Sequence, residues 1–288
     1  MLIRYPGGKG KLRKQIFKHF PYEMTCPLIS QSVGWSYHEP FVGSGEMAFA
    51  LMEDLPSNTK IFLSDIDYHL ICLWQSVKNC PDELITKIRS FNPSADKFYE
   101  FKEQDGSRDM DPVRAGFQKL ALHRMSYSGL GYMAGGPLGG RNQDNDLYRV
   151  DCRWNVNRIC RNVLRIHNLM SKFDRLDIFT GSFDKNLSKM TSRSFAYLDP
   201  PYYVKGPELY KHSMDDDMHL KLRDLLMLSP GHWVLSYDDA PKIRELYSPY
   251  CGIADVYAAY SVHSGQKGKT KNREILISPE IRSANVAV

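Results

Sequence analysis

The sequence predicts an α/β protein built on a mostly parallel sheet and interrupted midway by a helical, Gly-rich, basic insert. Three observations carry this. Short apolar runs of strand length occur towards both ends of the chain, and the early ones lead through a turn into a helix, the rhythm of parallel strands joined by crossover helices. From Pro81 to about Arg175 that rhythm gives way to helix-opening chemistry. Charge is also uneven: residues 112–175 hold eleven Lys and Arg against four Asp and Glu, in a chain whose net charge is only +5. The core is therefore expected over roughly 1–78 and 176–288, and the insert over roughly 79–175.

Taken in order, Lys11–Phe20 is a short amphipathic helix stopped by Pro21. Trp35–Phe41 reads as a strand running into Val42-Gly43-Ser44-Gly45, followed by a helix from Glu46 to about Asp54. Lys60–Ser64 is a compact strand ending at Asp65, and Tyr68–Lys78 continues as a helix. In the insert, helices open at Pro81, near Ser94 and at Pro112, where Asp111 stands as the cap. The glycine-rich stretch Ser126–Arg141 is too rich in breakers for regular structure, and a basic helix, Asn155–Lys172, follows. Strands return at Asp177–Thr180, Ser194–Leu198, Trp233–Ser236, Ile253–Tyr257 and Glu274–Ile277, with a helix at Asp215–Leu228.

Composition narrows the class further. With 42% hydrophobic and 25% charged residues over 288 positions, the chain has the make-up of an ordinary soluble globular protein. No run approaches the roughly 18 apolar residues a membrane span needs. The opening residues carry no apolar signal segment, so the expected location is cytoplasmic. Six Cys show neither a CxxC pair nor zinc spacing, which predicts reduced thiols and no metal site. The basic segment 112–175 and the loop Gly265–Arg273, with Lys267, Lys269, Lys271 and Arg273, suit a polyanion; solvated helix faces are the plainer alternative. A monomer or weak dimer is expected.

Three motifs bear on chemistry. Asp199-Pro200-Pro201-Tyr202 stands at the carboxyl end of a predicted strand, where two prolines force the chain out of the sheet. Such strand ends are where ligands bind in open α/β sheets. The turn offers a carboxylate, a Pro200 carbonyl with no N–H of its own, and a Tyr ring. That set accepts hydrogen bonds from an exocyclic amino group and stacks on its base; a structural turn with a capping Asp is the competing reading. Glu39-Pro40-Phe41-Val42-Gly43-Ser44-Gly45, with Asp65 twenty residues after Gly45, has the strand–glycine turn–helix order and the distant carboxylate that suit a nucleoside's ribose diol. The full GxGxxG is absent, so a pyrophosphate is a poorer fit than a nucleoside without phosphates. Tyr5-Pro6-Gly7-Gly8-Lys9-Gly10-Lys11 fails as a P-loop, since Tyr5 and Leu12 stand where Gly and Ser or Thr belong. It remains either a Gly-rich turn presenting Tyr5 and Lys9 to a carboxylate, or a flexible basic N-terminus.

In this order and spacing the motifs resemble the D12-class DNA N6-adenine methyltransferases, related to the GATC-type adenine methylases. RYPGGKGKL, EPFVGSG, SDIDYHLICLWQSVK, YLDPPY, WVLSYDD and NREILI are similar to family segments, as are LHRMSYSGLG and RWNVNRI within the insert. The resemblance implies a methyltransferase-type, Rossmann-like sheet with a DNA-recognition insert, acting on double-stranded DNA with S-adenosylmethionine and without a metal. It implies restriction-modification or related DNA methylation as the setting. Asp199, Pro200, Pro201 and Tyr202 become the catalytic motif. Tyr5, Lys9, Pro40, Phe41, Gly43, Gly45, Asp65, Phe183 and Asp199 become cofactor contacts. Arg124, Arg141, Arg153, Arg158, Lys267 and Lys269 are the candidates for DNA contact. Ser182 replaces the Asp frequent before that Phe. His123 and the lack of an FNVPFG-like stretch depart from GATC-specific members, so no GATC specificity is implied.

Cytosine-C5 methylation is excluded, because it needs a Cys nucleophile after Pro and the chain has no Pro-Cys dipeptide. Cytosine-N4 methylation, whose enzymes often carry Ser in place of Asp199, shares the amino-group chemistry and stands as the alternative, with RNA adenine methylation beside it. A catalytically inactive DNA-binding protein is the non-enzyme alternative.

Overall fold

The computed structural model describes residues 2, 3, 9, 12–22, 34–144, 148–258 and 272–281. Among these residues seven strands form one sheet: β1 (Ser36–Glu39), β2 (Lys60–Asp65), β3 (Leu176–Thr180), β4 (Ser194–Leu198), β5 (His232–Asp238), β6 (Gly252–Ala258) and β7 (Asn272–Ser278). Their spatial order is β3-β2-β1-β4-β5-β7-β6. The first five are parallel, and β7 runs against its neighbours β5 and β6. This is the expected α/β architecture. The chain builds outward from β1 to β3 and then returns to lay β4 beside β1, so the carboxyl ends of β1 and β4 flank a topological switch point, where such sheets open a crevice.

Alternation along the strands feeds two cores. Phe195, Tyr197, Val234 and Leu276 face one side, whereas Ala196, Leu198, Trp233, Leu235, Ile275 and Ile277 face the other. The first side holds α1 (Arg13–Phe17), α2 (Glu46–Met52), α3 (Tyr68–Asn79), α4 (Pro81–Ser90), α5 (Ala95–Gln104), α6 (Pro112–Met125) and α7 (Val156–Met170) in one continuous apolar cluster. The helices between residues 79 and 175 therefore share their core with the sheet. The other side is covered by α8 (Phe183–Leu187), α10 (Asp216–Met227) and α11 (Pro241–Tyr247); α9 (Gly206–Leu209) lies in the loop after β4.

Local chemistry explains the helix starts. The side chains of Asp67, Ser94, Asp111, Asn155 and Asp215 each accept the backbone N–H three residues on. Pro81 and Pro112 occupy first helical positions, where the missing N–H loses nothing. Gly116 lets α6 and α3 meet backbone to backbone, since a Cβ there would lie 2.6 Å from Leu73 Cα. The glycine-rich stretch is more ordered than its composition predicts. Two 3₁₀ turns, Tyr127–Gly129 and Gly131–Met133, and a bridge between Ser126 and Pro137 shape it. The short helices α8, α9 and α11 were not legible as periodic patterns, because fewer than two turns cannot show one.

All the cysteines among the described residues are free thiols. Among those residues no helix is long and apolar enough to cross a membrane, and no group of three or more His, Cys, Asp or Glu is placed to hold a metal ion.

Candidate active site

Four turns at the carboxyl edge of the sheet build one cleft that opens to solvent. The turn after β1 is set by Gly45, whose φ of +68° and close approach to Phe49 leave no room for a Cβ. Val42 N–H donates to Ser64 O at 3.0 Å and Trp74 Nε1 to Gly43 O at 3.0 Å, tying the turn to β2 and α3. Pro40, Phe41 and Gly43 line the cleft; Gly45 stands just behind it as the cap of α2.

Asp65 ends β2 and joins the turns. Its Oδ2 accepts Gly43 N–H and its Oδ1 accepts Asp67 N–H, both at 3.0 Å, while its carbonyl accepts Gly181 N–H. Burial raises the Asp65 carboxyl to about pKa 6, with Asp67 adding to the rise and the two backbone donors opposing it. After β3, Phe183 opens α8 and its ring lies 5.6 Å from that of Phe41, giving an aromatic wall.

Asp199 follows β4. Its Oδ1 accepts Ser236 Oγ at 2.9 Å, and Tyr197 Oη lies 3.0 Å from the same hydroxyl. Lys9 Nζ stands 3.3 Å away. Burial lifts the Asp199 carboxyl to about 6, with Lys9 opposing and Glu274 adding to the rise. Pro201 lines the cleft beside it, and Pro200 is buried beneath the turn. Tyr202 is half-buried; its ring meets Tyr210 edge-on at 6.2 Å, and its hydroxyl donates to Glu274 Oε1 at 3.0 Å. Lys9, fully buried, donates to Tyr202 Oη at 3.0 Å and pairs with Glu274 Oε2 at 2.9 Å. Burial alone would lower its pKa, but the two carboxylates outweigh that and hold the ammonium charged well above the usual Lys range. Glu39, buried at the base of the cleft, accepts the Tyr37 hydroxyl, and burial holds its carboxyl far above the ordinary range.

The structure thus brings Lys9, Pro40, Phe41, Gly43, Asp65, Phe183, Asp199 and Pro201 into one lining. Gly45, Pro200 and Tyr202 are not part of it: Gly45 caps α2, Pro200 is buried in the turn, and Tyr202 is tied through its hydroxyl to Lys9 and Glu274. Tyr5, Lys267 and Lys269 lie outside the described residues. Sequence reasoning did not find Glu39, Ser236, Glu274 or the segment Tyr210–Met214 that borders the cleft. The signal for Glu39 was its place in the motif already noted; Ser236 and Glu274 lie in predicted strands and carried no signal of their own.

Beside the cleft, ion pairs link the loops. Lys119 of α6 lies 2.6 Å from Asp67 and 3.1 Å from Asp105, and Lys211 lies 2.9 Å from Asp105. Burial would raise Asp67, but Lys119 outweighs it and holds that carboxyl at about 2. The candidate DNA-contacting arginines are placed differently from one another. Arg124 directs its guanidinium to Leu2 O and Arg153 O, and Arg153 reaches Ser126 O at 3.2 Å. Arg141 is exposed over the Tyr99 ring at 5.3 Å. Arg158 is exposed in the first turn of α7, and Arg165, further along that helix, pairs with Glu53.

The fold and site define the class: a mostly parallel α/β sheet whose switch-point cleft carries a buried carboxylate at the end of β2 and an Asp-Pro-Pro-Tyr turn after β4. The model of the D12 class N6 adenine-specific DNA methyltransferases matches residues 5–262, and the chain belongs to that family. It is 28% identical over 241 residues to the type II methyltransferase M.MjaIII of Methanocaldococcus jannaschii, covering 76% of each chain. It is 23% identical over 289 residues to the type II methyltransferase M1.LlaDCHI of Lactococcus lactis subsp. cremoris, covering 96% of this chain and 93% of the relative. Among solved structures, precorrin-8w decarboxylase from Methanobacterium thermoautotrophicum covers 93% of this chain and 88% of its own at 10% identity, with a TM-score of only 0.38. The protein is thus a member of a DNA methyltransferase family, and both of these relatives are type II methyltransferases.

Proposed function

We propose that this protein is a site-specific DNA adenine-N6 methyltransferase that transfers the methyl group of S-adenosylmethionine to an adenine flipped out of double-stranded DNA. The observation that carries this is the convergence of Asp65, the Phe41–Phe183 wall, Lys9, Asp199 and Pro201 on one cleft, in a chain of the D12 family. The cleft fits the cofactor. Each Asp65 oxygen accepts a single backbone donor, which leaves a lone pair on each for the two ribose hydroxyls. The aromatic wall suits the adenine ring, and the charged groups around Lys9 and Asp199 suit the methionine end. When bound, S-adenosylmethionine supplies an electrophilic sulfonium methyl.

The chain's own residues prepare the acceptor. An exocyclic amino group is a poor nucleophile because its lone pair is delocalised into the ring. A base inside a duplex is also out of reach, hence the flipping. The Tyr202 ring stacks on the base, while the Asp199 carboxylate and the Pro200 carbonyl accept the two amino hydrogens. Those bonds favour a pyramidal nitrogen and aim its lone pair along the transfer line. Ser236 and Lys9 hold the carboxylate in place, so catalysis rests on positioning and electrostatics with no covalent enzyme intermediate. Target reading falls to the basic segment 112–175, where Arg141 and Arg158 present exposed charge; Arg124 and Arg153 contribute by shaping the loop they brace.

The test is a product analysis. Purified protein and methyl-labelled cofactor are incubated with duplex DNA and, in parallel, with RNA, and each nucleic acid is digested to nucleosides. N6-methyldeoxyadenosine is the expected product. N4-methyldeoxycytidine, or label found only in RNA, would overturn the proposal.

A further inference from the structure

The buried ammonium of Lys9 faces two carboxylates, and only one of them belongs to the catalytic motif. Glu274 is the second. It is the third residue of β7, which runs antiparallel to β5, so a residue near the start of that strand arrives at the carboxyl edge beside Asp238. Its side chain is 3% exposed and spans a closed ring. Oε2 pairs with Lys9 at 2.9 Å, Oε1 accepts the Tyr202 hydroxyl at 3.0 Å, and Lys9 donates to that same hydroxyl at 3.0 Å. A carboxylate this deeply buried is retained at a desolvation penalty, and apolar packing would serve stability at least as well. Its geometry is that of a clamp on two residues of the transfer site.

We propose that Glu274 is a positioning residue for methyl transfer, holding Lys9 and Tyr202 together so that the Tyr202 ring is fixed against the base and Asp199 is left only partly neutralised. The role rests on the function proposed above. Were Glu274 absent, Lys9 would pair with Asp199 alone, and the carboxylate would become a weaker acceptor for the amino group. The groups facing Asp199 set the direction of the effect. These are Lys9 from the N-terminal segment, Glu39 from β1, Tyr197 from β4, Tyr237 from β5, Tyr202 from its own turn and Glu274 from β7. Glu274 is a like charge that opposes ionisation of Asp199, so removing it makes Asp199 more acidic.

Glu274→Gln keeps the shape and removes only the charge; Tyr202→Phe keeps both charges and removes only the hydroxyl tie. In cofactor-free protein labelled with ¹³C in its Asp carboxyls, the Asp199 signal is assigned by its loss in Asp199→Asn and titrated by NMR. The wild-type midpoint is expected near 6. Glu274→Gln should move it down by about half a unit or more, roughly a threefold change in proton affinity, and shift the acid limb of kcat/KM the same way. Tyr202→Phe should leave the midpoint in place and lower kcat/KM several-fold. A wild-type midpoint near 4 overturns the role even if Glu274→Gln does not fold. So does an unmoved midpoint in a folded Glu274→Gln, the outcome of a purely structural carboxylate, or wild-type kcat/KM in Tyr202→Phe. Failure of the wild type to methylate adenine would instead overturn the underlying function.

Discussion

Replacing Asp199 by Asn should destroy turnover and yet make the protein more stable at neutral pH. The carboxyl sits at about 6 in the folded chain against an ordinary 3.8, chiefly because it is buried, with Lys9 recovering only part of that penalty. The folded state therefore binds this proton more tightly than the unfolded chain does. The ionised form costs stability in full above about pH 6, the cost fades between 6 and 4, and below 4 it is gone. A shift of about 2 units corresponds to about 3 kcal/mol. Asn mimics the neutral acid, keeps an oxygen for Ser236 and leaves Glu274 to pair with Lys9. At roughly 2 °C or more per kcal/mol, the variant should melt some 5 °C higher at pH 7.5. Its turnover should fall by about a hundredfold or more, since one of the two acceptors for the amino hydrogens is lost. Thermal unfolding of both proteins from pH 4 to 8, beside an initial-rate assay, gives the answer. An Asn variant that is less stable at pH 7.5, or whose gain does not shrink towards pH 4, would refute the idea that the ionised Asp199 carboxylate costs the folded state stability.

Three further outcomes are expected. Asp65→Ala should weaken S-adenosylmethionine binding by tenfold or more in calorimetry, since it removes two charge-assisted hydrogen bonds of about 1.5–3 kcal/mol each; unchanged affinity would remove Asp65 from the ribose. Non-specific DNA affinity should fall steeply with salt, with a log–log slope near −0.9 per phosphate neutralised, and a flat response in a filter-binding titration would argue against the basic segment as the DNA surface. Lys119→Met should lower stability by about 3–5 kcal/mol in urea unfolding, because the buried Asp67 and Asp105 would lose the cation between them; an unshifted midpoint would show that the ion cluster does not hold the insert to the cleft.

Much of this protein is written in short range. A cap is a side chain accepting an N–H three residues on, so Asp111-Pro112 and Asn155 could be read as helix starts without knowing anything else. The sheet was legible for the same reason, because a strand's apolar run and its terminal turn are contiguous in the chain. The motif residues were legible as well: Phe41, Asp65 and Asp199 each stand at a strand end, and strand ends in a parallel sheet share one edge. What no stretch of sequence could disclose is how charges meet across the fold. Lys9 read as part of a glycine-rich basic turn, and only the reversed direction of β7 brings Glu274 to it. Arg124 counted as a free charge for DNA until folding turned its guanidinium onto the carbonyls of Leu2 and Arg153. Asp105 and Lys211, 106 residues apart, likewise meet only because the loop after Tyr202 folds back on α6 and its neighbours. Backbone preference acts over a few residues and is present in the local sequence. The pairing of buried charges depends on which distant groups lose water together, and only the tertiary structure decides that.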